Sequence, residues 1–297
     1  MSAQAHPPTT DAGPEGCAVL EPRPKRGMSR TQKFLFFATG WLIVLMPFLF
    51  WWNTWFGRHL SEAQLTQYLH DDKKPRHIQQ ALVQLSERIS KNDAAAKQWY
   101  PDLIRLSTYS IEEVRNTDAW VMGQDTSGTG FHEALLKMLQ DPSPIVRGNA
   151  ALSLVRFGDA SGRAEIVALL QPARLTASTD GRVIDSDRPG TAVHQGGLLA
   201  KIAVTGSTQV SEIRSPIPGR IRSVAQTGAN VQAGSEVAVV DPATEQVWEA
   251  LRALYLIGQT DDLQAIRPYE RELPEIPDHI RQQAMETEKA IEQRSKS

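Results

Sequence analysis

Between residues 174 and 241 the chain repeats itself at a spacing of 38 residues. Gly181 pairs with Gly219, Val183 with Ile221, Gly190 with Gly228, Val193 with Val231, Gly196 with Gly234 and Ile202 with Val240. Glycines that recur at one offset, with alternating apolar residues between them, predict two copies of one β unit. Gly181, Gly190, Gly219 and Gly228 are read as turn positions, where a missing Cβ permits unusual dihedrals or close backbone approach.

The stretches LTASTDGRVIDSDRPGTAVHQGGLLAKI and IRSPIPGRIRSVAQTGANVQAGSEVAVV resemble the two halves of a biotinyl/lipoyl-type domain. The resemblance covers about residues 174–241 and implies a flattened, quasi-symmetric barrel. In that family a modified lysine sits at the tip of the hairpin joining the halves. Here the joint is AVTGSTQVSE, residues 203–212, which contains no lysine; the nearest is Lys201, on the strand before it. No cofactor and no covalent carrier role is therefore expected. The same fold occurs in the membrane-fusion (HlyD-type) adaptors of bacterial efflux and secretion systems, where a long helical hairpin usually separates the halves. The joint here is too short for that hairpin.

On either side of the repeat the apolar periodicity is helical. Ile78, Ala81, Leu82, Leu85 and Ile89 share one helix face, and further helices are predicted over 100–106 and 111–122. LLKMLQDPSPIVRGNAALSLVRFGD then resembles a HEAT-type helical repeat. Asp141 can cap the second helix, Pro144 suits its first turn, and Gly158 suits its end. In that family the turn Asp and the Arg after the Val often interact, which implies a pairing of Asp141 with Arg147. Joining EIVALLQ directly to DPATEQVWEALRALYLIGQ yields another copy, in which Asp241 mirrors Asp141 and Gly258 mirrors Gly158. The β region is therefore expected as an insert in the turn of one helical repeat. Trp248 stands where Arg147 would be, so the Asp–Arg pairing stays open for this copy.

Residues 34–56, FLFFATGWLIVLMPFLFWWNTWF, carry no charge over 23 positions. A bilayer-spanning helix needs about 20 apolar residues, and Trp51, Trp52 and Trp55 cluster as at a membrane boundary. Arg23, Lys25, Arg26, Arg30 and Lys33 precede the run, which predicts a cytoplasmic N-terminus, a single pass through a bacterial inner membrane and a periplasmic remainder. The expected fold class is an N-terminal transmembrane helix followed by an α-solenoid of HEAT-like repeats with an inserted all-β lipoyl-like barrel. Its expected segments are a disordered cytoplasmic tail (1–30), the span (34–56), helical repeats (61–172), the barrel (174–241), completion of the last repeat (242–270) and a charged tail (271–297).

Chemistry is sparse by comparison. The net charge of −2, without like-charge runs, gives no reason to expect a nucleic-acid partner, and the single cysteine, Cys17, forms no disulfide or metal cluster within one chain. His70, Asp71, Asp72 and His77 are the one grouping with metal-ligand character, and a solvated turn is the preferred reading. Gln124 and Asp125, after a helix end, are possible partner contacts. No phosphate loop, nucleophile elbow, HExxH motif or paired-carboxylate motif occurs, so no catalytic, cofactor or metal residues are assigned. Stacked helices present extended surfaces suited to protein contacts. The expected function is a non-catalytic adaptor or assembly scaffold for an envelope complex, its partners other envelope or membrane proteins and the membrane itself. An efflux or secretion adaptor subunit is the alternative, and a helical-repeat lyase is third.

Overall fold

The computed structural model describes residues 29–55 and 59–296, in two units, Met1–His59 and Leu60–Ser297. In the first unit a single helix, α1, covers Arg30–Trp55 and contains Pro47. Its large apolar side chains from Phe34 to Leu49 are exposed. Among the described residues no helix is long and apolar enough to cross a membrane. The expected transmembrane helix, and the inner-membrane placement and orientation built on it, are corrected accordingly. Of the expected disordered tail, residues 1–28 lie outside the described residues, as does the last position of the expected span, 56.

The second unit opens as paired helices: α2 (Glu62–Leu69) with α3 (Pro75–Ser90), α4 (Tyr100–Leu106) with α5 (Glu112–Met122), and α6 (Phe131–Met138) with α7 (Pro144–Arg156). Local chemistry sets their limits. A capping box opens α2, with Ser61 Oγ accepting from the Gln64 amide and Gln64 Oε1 from the Ser61 amide. Proline stands in the first turn of α3, α4 and α7, where its missing N–H costs nothing. Gly158, at φ 74°, ends the α7 turn in the left-handed region. The buried faces of these helices merge into one core that includes Leu65, Leu82, Leu103, Val114, Leu135 and Leu154. This is a helical-repeat fold.

The next pair is α8 (Arg163–Ala168) with α9 (Thr244–Ile257), and the chain between them forms sheets. Eight strands follow: β1 (Ala173–Thr176), β2 (Gly181–Ser186), β3 (Ala192–Val193), β4 (Leu198–Val204), β5 (Val210–Arg214), β6 (Gly219–Val224), β7 (Asn230–Val231) and β8 (Glu236–Pro242). They make two four-stranded antiparallel sheets, ordered β1-β8-β6-β3 and β5-β4-β2-β7. Each half of the 38-residue repeat thus lends its first and third strands to the other half. Val183, Leu199, Ile202, Ile221, Val237 and Val240 fill the space between.

The expected closed barrel is corrected to two open sheets. Closure needs a ladder without edges. Here the ladders end at β1, β3, β5 and β7, and the two-residue strands β3 and β7 offer no length to carry pairing from one sheet to the other. The glycines also divide into two kinds. Gly190 and Gly228 take φ of 87° and 94° in turns. Gly181 and Gly219 instead begin β2 and β6, where a Cβ would collide with the carbonyl oxygens of Ala203 and Asp241. They permit close strand approach rather than a turn.

After α9 come the short α10 (Leu263–Ile266), a 3₁₀ turn (Arg267–Glu270) and α11 (Asp278–Lys296). Ile166, Leu169 and Leu170, at the α8 side, share one core with Val247, Leu251 and Leu254 of α9 and Ile280 and Ile291 of α11. The stretch read as a charged tail therefore contains a packed helix. Because α8 and α9 meet directly, replacing residues 173–242 with a short Gly/Ser linker should leave a cooperatively unfolding helical protein. Far-ultraviolet circular dichroism through a thermal ramp checks this, and loss of the helical signal at low temperature would show that the sheets belong to the helical core.

Candidate functional site

The second helices of successive pairs, α3, α5, α7, α9 and α11, lie side by side in one layer. Polar rungs bind α5 to α7. Ser153 Oγ donates to the Ala119 carbonyl at 2.9 Å, the Asn149 amide donates to Asn116 Oδ1, and Arg156 donates to Gln124 Oε1 at 3.0 Å. Gly123 is required for this approach, since a Cβ there would overlap the Ser153 side chain. On the other side, Thr287 Oγ1 of α11 donates to the Leu251 carbonyl of α9 at 3.0 Å.

Between α7 and α9 a groove of about 530 Å³ opens, bordered by Trp120 of α5, Leu152 and Arg156 of α7, Tyr255 and Leu256 of α9 and Glu286 of α11. Trp120 is 42% exposed, Tyr255 43% and Leu256 62%. Large apolar side chains held out from rigid helices, with amide, guanidinium and carboxylate groups at the rim, supply contact area at little ordering cost. Ser153, which also lines the groove, donates to the Ala119 carbonyl.

Within this layer, Asp118 of α5 is fully buried, and neither carboxyl oxygen has a hydrogen-bond partner. Burial pushes this carboxyl well above its ordinary range, with the Arg105 charge pulling the other way. A second, larger cleft of about 1360 Å³ lies between the β1-β8-β6-β3 sheet and the segment after α9. Tyr269 closes one end by donating to the Leu170 carbonyl at 2.6 Å, and Arg220 donates to the Gly190 carbonyl at 2.8 Å. Its walls mix Arg222 and Arg271 with Asp241, Glu245 and Glu275, a balance that selects no ligand charge.

The residues singled out in the sequence are distributed as follows. Asp141 does not pair with Arg147 through its side chain. Its carboxylate takes two hydrogen bonds from Arg115 of the preceding repeat, at 2.6 and 2.9 Å, and caps the Ser143 amide at 2.8 Å. Arg147 bonds the Asp141 carbonyl at 2.9 Å and Glu165 at 2.9 Å. Burial raises the Asp141 carboxyl, but the Arg115 bonds, the Ser143 amide and the Arg147 charge outweigh it and hold it below the usual range. Asp241 pairs with Arg222 on β6, a strand partner and not a helix partner. Gly258 is extended, with φ −62° and ψ 152°; it is needed because a Cβ would strike the Leu254 carbonyl and Ile291. Asp125 is occupied by Tyr100 and Ser127, and Gln124 accepts from Arg156. His77 pairs with Asp71 at 2.8 Å and His70 with Asp102 at 3.1 Å, so that grouping is split between partners. Among the described residues no three His, Cys, Asp or Glu side chains are grouped to hold a metal. The groove itself was not read from the sequence; the signal available was the outward register of Trp120, Tyr255 and Leu256 on otherwise amphipathic helices.

Removing the Asp141 side chain strands the Arg115 guanidinium in a site where both partners are mostly buried, so Asp141→Ala should cost about 3–5 kcal/mol in urea unfolding. The depressed carboxyl contributes above its ordinary pKa of about 4, and that contribution is lost as pH falls through its lower folded value. Asp118 has the opposite sign. Its elevated carboxyl stabilises only at low pH, and stability drains as pH rises through the folded value. Asp118→Leu should therefore raise stability at pH 7 by about 1–3 kcal/mol and flatten its fall with pH. A destabilised Asp118→Leu protein would show that the carboxyl has a partner.

No protein-family model and no curated protein sequence matches the chain. Among solved structures, the chain is similar to a designed armadillo repeat protein in complex with the peptide (KR)4, at 15% identity and a TM-score of 0.37, over 76% of this chain and 80% of that one. It is also similar to part of a single-chain, multi-domain long-chain acyl-CoA carboxylase, at 15% identity and a TM-score of 0.23, over 60% of this chain and 16% of that one.

Proposed function

We propose that this chain is a non-catalytic protein-binding scaffold whose helical layer holds a segment of a partner protein in the groove between α7 and α9. The observation that carries this reading is the exposure of Trp120, Tyr255 and Leu256 at the groove border, with polar bonds joining α5 to α7 and α9 to α11. Binding energy in protein interfaces concentrates on a few aromatic and arginine side chains set in well-packed surroundings, and Trp120, Tyr255 and Arg156 are of those types. The groove is formed before any partner arrives, so little has to be ordered on binding.

A photo-crosslinking residue placed at Leu256 of the full chain in its native host should yield a discrete adduct. The same residue at Val83, exposed on α3, serves as the control. Trp120→Ala should reduce the Leu256 adduct at least about tenfold, equivalent to about 1.4 kcal/mol of binding, with the helical signal unchanged. Equal adducts from both positions, or an adduct indifferent to Trp120, would overturn the assignment of the groove.

A further inference from the structure

The C-terminal helix carries a carboxyl contact that the binding reading does not use. Glu270, at the end of the 3₁₀ turn Arg267–Glu270, places Oε1 out of solvent with no hydrogen-bond donor beside it. The group against it is another carboxyl, Glu288 of α11. Arg267 holds that second carboxyl by an Nε–H bond of 3.0 Å to Glu288 Oε1. On the segment of Glu270 itself the charged neighbour is Arg267, while α11 presents Glu288 and, one turn on, Glu292, which sits 3.8 Å from Lys296. The other helix packed here, α10, has the sequence LQAI and no titratable side chain. Tyr269 faces away, bonded to Leu170.

Two carboxyl groups in contact, one of them desolvated and only one served by an arginine, are compatible when they share a single proton. We propose that this shared proton is a latch: with Glu270 protonated and donating to Glu288, α11 is seated on the 3₁₀ turn, and loss of the proton sets two carboxylates against each other and loosens α11. Burial and Glu288 together push Glu270 up to about 7, while Glu288, held by Glu270 and Arg267, goes down. The sign follows. The open helix releases the Glu270 proton near the ordinary glutamate pKa of about 4.3, and the seated helix keeps it until the raised value. Latching is complete below the first value and is lost as pH rises through the second. The core contacts of α11 through Ile280, Ala284 and Ile291 persist, so the response is partial opening of one helix rather than unfolding. Because α11 contributes Glu286 to the groove border, its opening would widen that border, yet the latch stands whether or not the groove binds a partner.

Amide hydrogen exchange on the full chain between pH 5.5 and 8, corrected for intrinsic rates, reads the latch directly. Opening of α11 should rise roughly tenfold over this range, a value reduced for partial solvent screening, while α3 is the internal reference. In Glu270→Gln an amide donates to Glu288 at every pH, and in Glu288→Gln an amide donates to the Glu270 carboxylate. In both variants the slope of α11 opening with pH should disappear. A flat α11 response in the unaltered protein, or an unchanged slope in both variants, would overturn the latch. If Glu270→Gln alone lowers α11 protection uniformly, the slope in Glu288→Gln decides.

Discussion

The pairing of β1 with β8 is the interaction on which the architecture of the larger unit depends. Ala173 lies opposite Val240 in that antiparallel ladder, so the chain enters and leaves the sheets on neighbouring strands. Entry and exit side by side let α8 and α9 pack as though joined by a tight turn, and Leu169 and Leu170 reach Leu251 and Leu254 in a common core. Were the ends at opposite edges, the helical layer would be split into two stacks, each with an uncovered apolar face. The sheets also touch the scaffold elsewhere, through Gln195 donating to Glu112 at the start of α5.

The two sheets are themselves a consequence of exchange. Each half of the repeat forms a central strand pair, β2 with β4 or β6 with β8, and covers it with strands from the other half. Neither half holds enough apolar surface to fold by itself, whereas together they enclose Ile202 and Val240, equivalent residues related by the repeat. Glycine at 181 and 219 serves the same end, since the strands approach more closely there than any side chain permits.

Polar groups in the helical part divide by how fully they are satisfied. Arg115 and Asp141 meet in a bidentate, mostly buried pair that ties successive repeats. Asp118 has no such partner, and Glu270 has only another acid. A satisfied pair rigidifies, while an unsatisfied carboxyl makes stability depend on protonation. The Arg115–Asp141 pair ties α5 to the turn before α7, and the unsatisfied carboxyls lie in α5 and beside α11.

The helical elements were legible from sequence because their signals are local: apolar spacing over 78–89, proline at 144 and glycine at 158 act within a turn or two of themselves. The 38-residue spacing likewise reached the structure intact, with β1–β4 and β5–β8 standing in equivalent positions. What the repeat could not specify was closure. The same alternation of apolar residues serves a barrel or two open sheets, and the choice rests on ladder ends separated by dozens of residues. Charge partners followed the same logic. Asp141 was recognisable as a capping residue, but only the stacking of repeats brought Arg115 to it in preference to Arg147. The uncharged stretch at 34–56 was read as a membrane span; a helix does cover Arg30–Trp55, but among the described residues no helix is long and apolar enough to cross a membrane. The sequence by itself determined the helices, the glycine-marked strands and their duplication, all consequences of chemistry within a few residues. Tertiary structure alone decided strand exchange, ion-pair partners, the exposed aromatic row and the Glu270–Glu288 contact, because each depends on surfaces that meet only once the chain has folded back on itself.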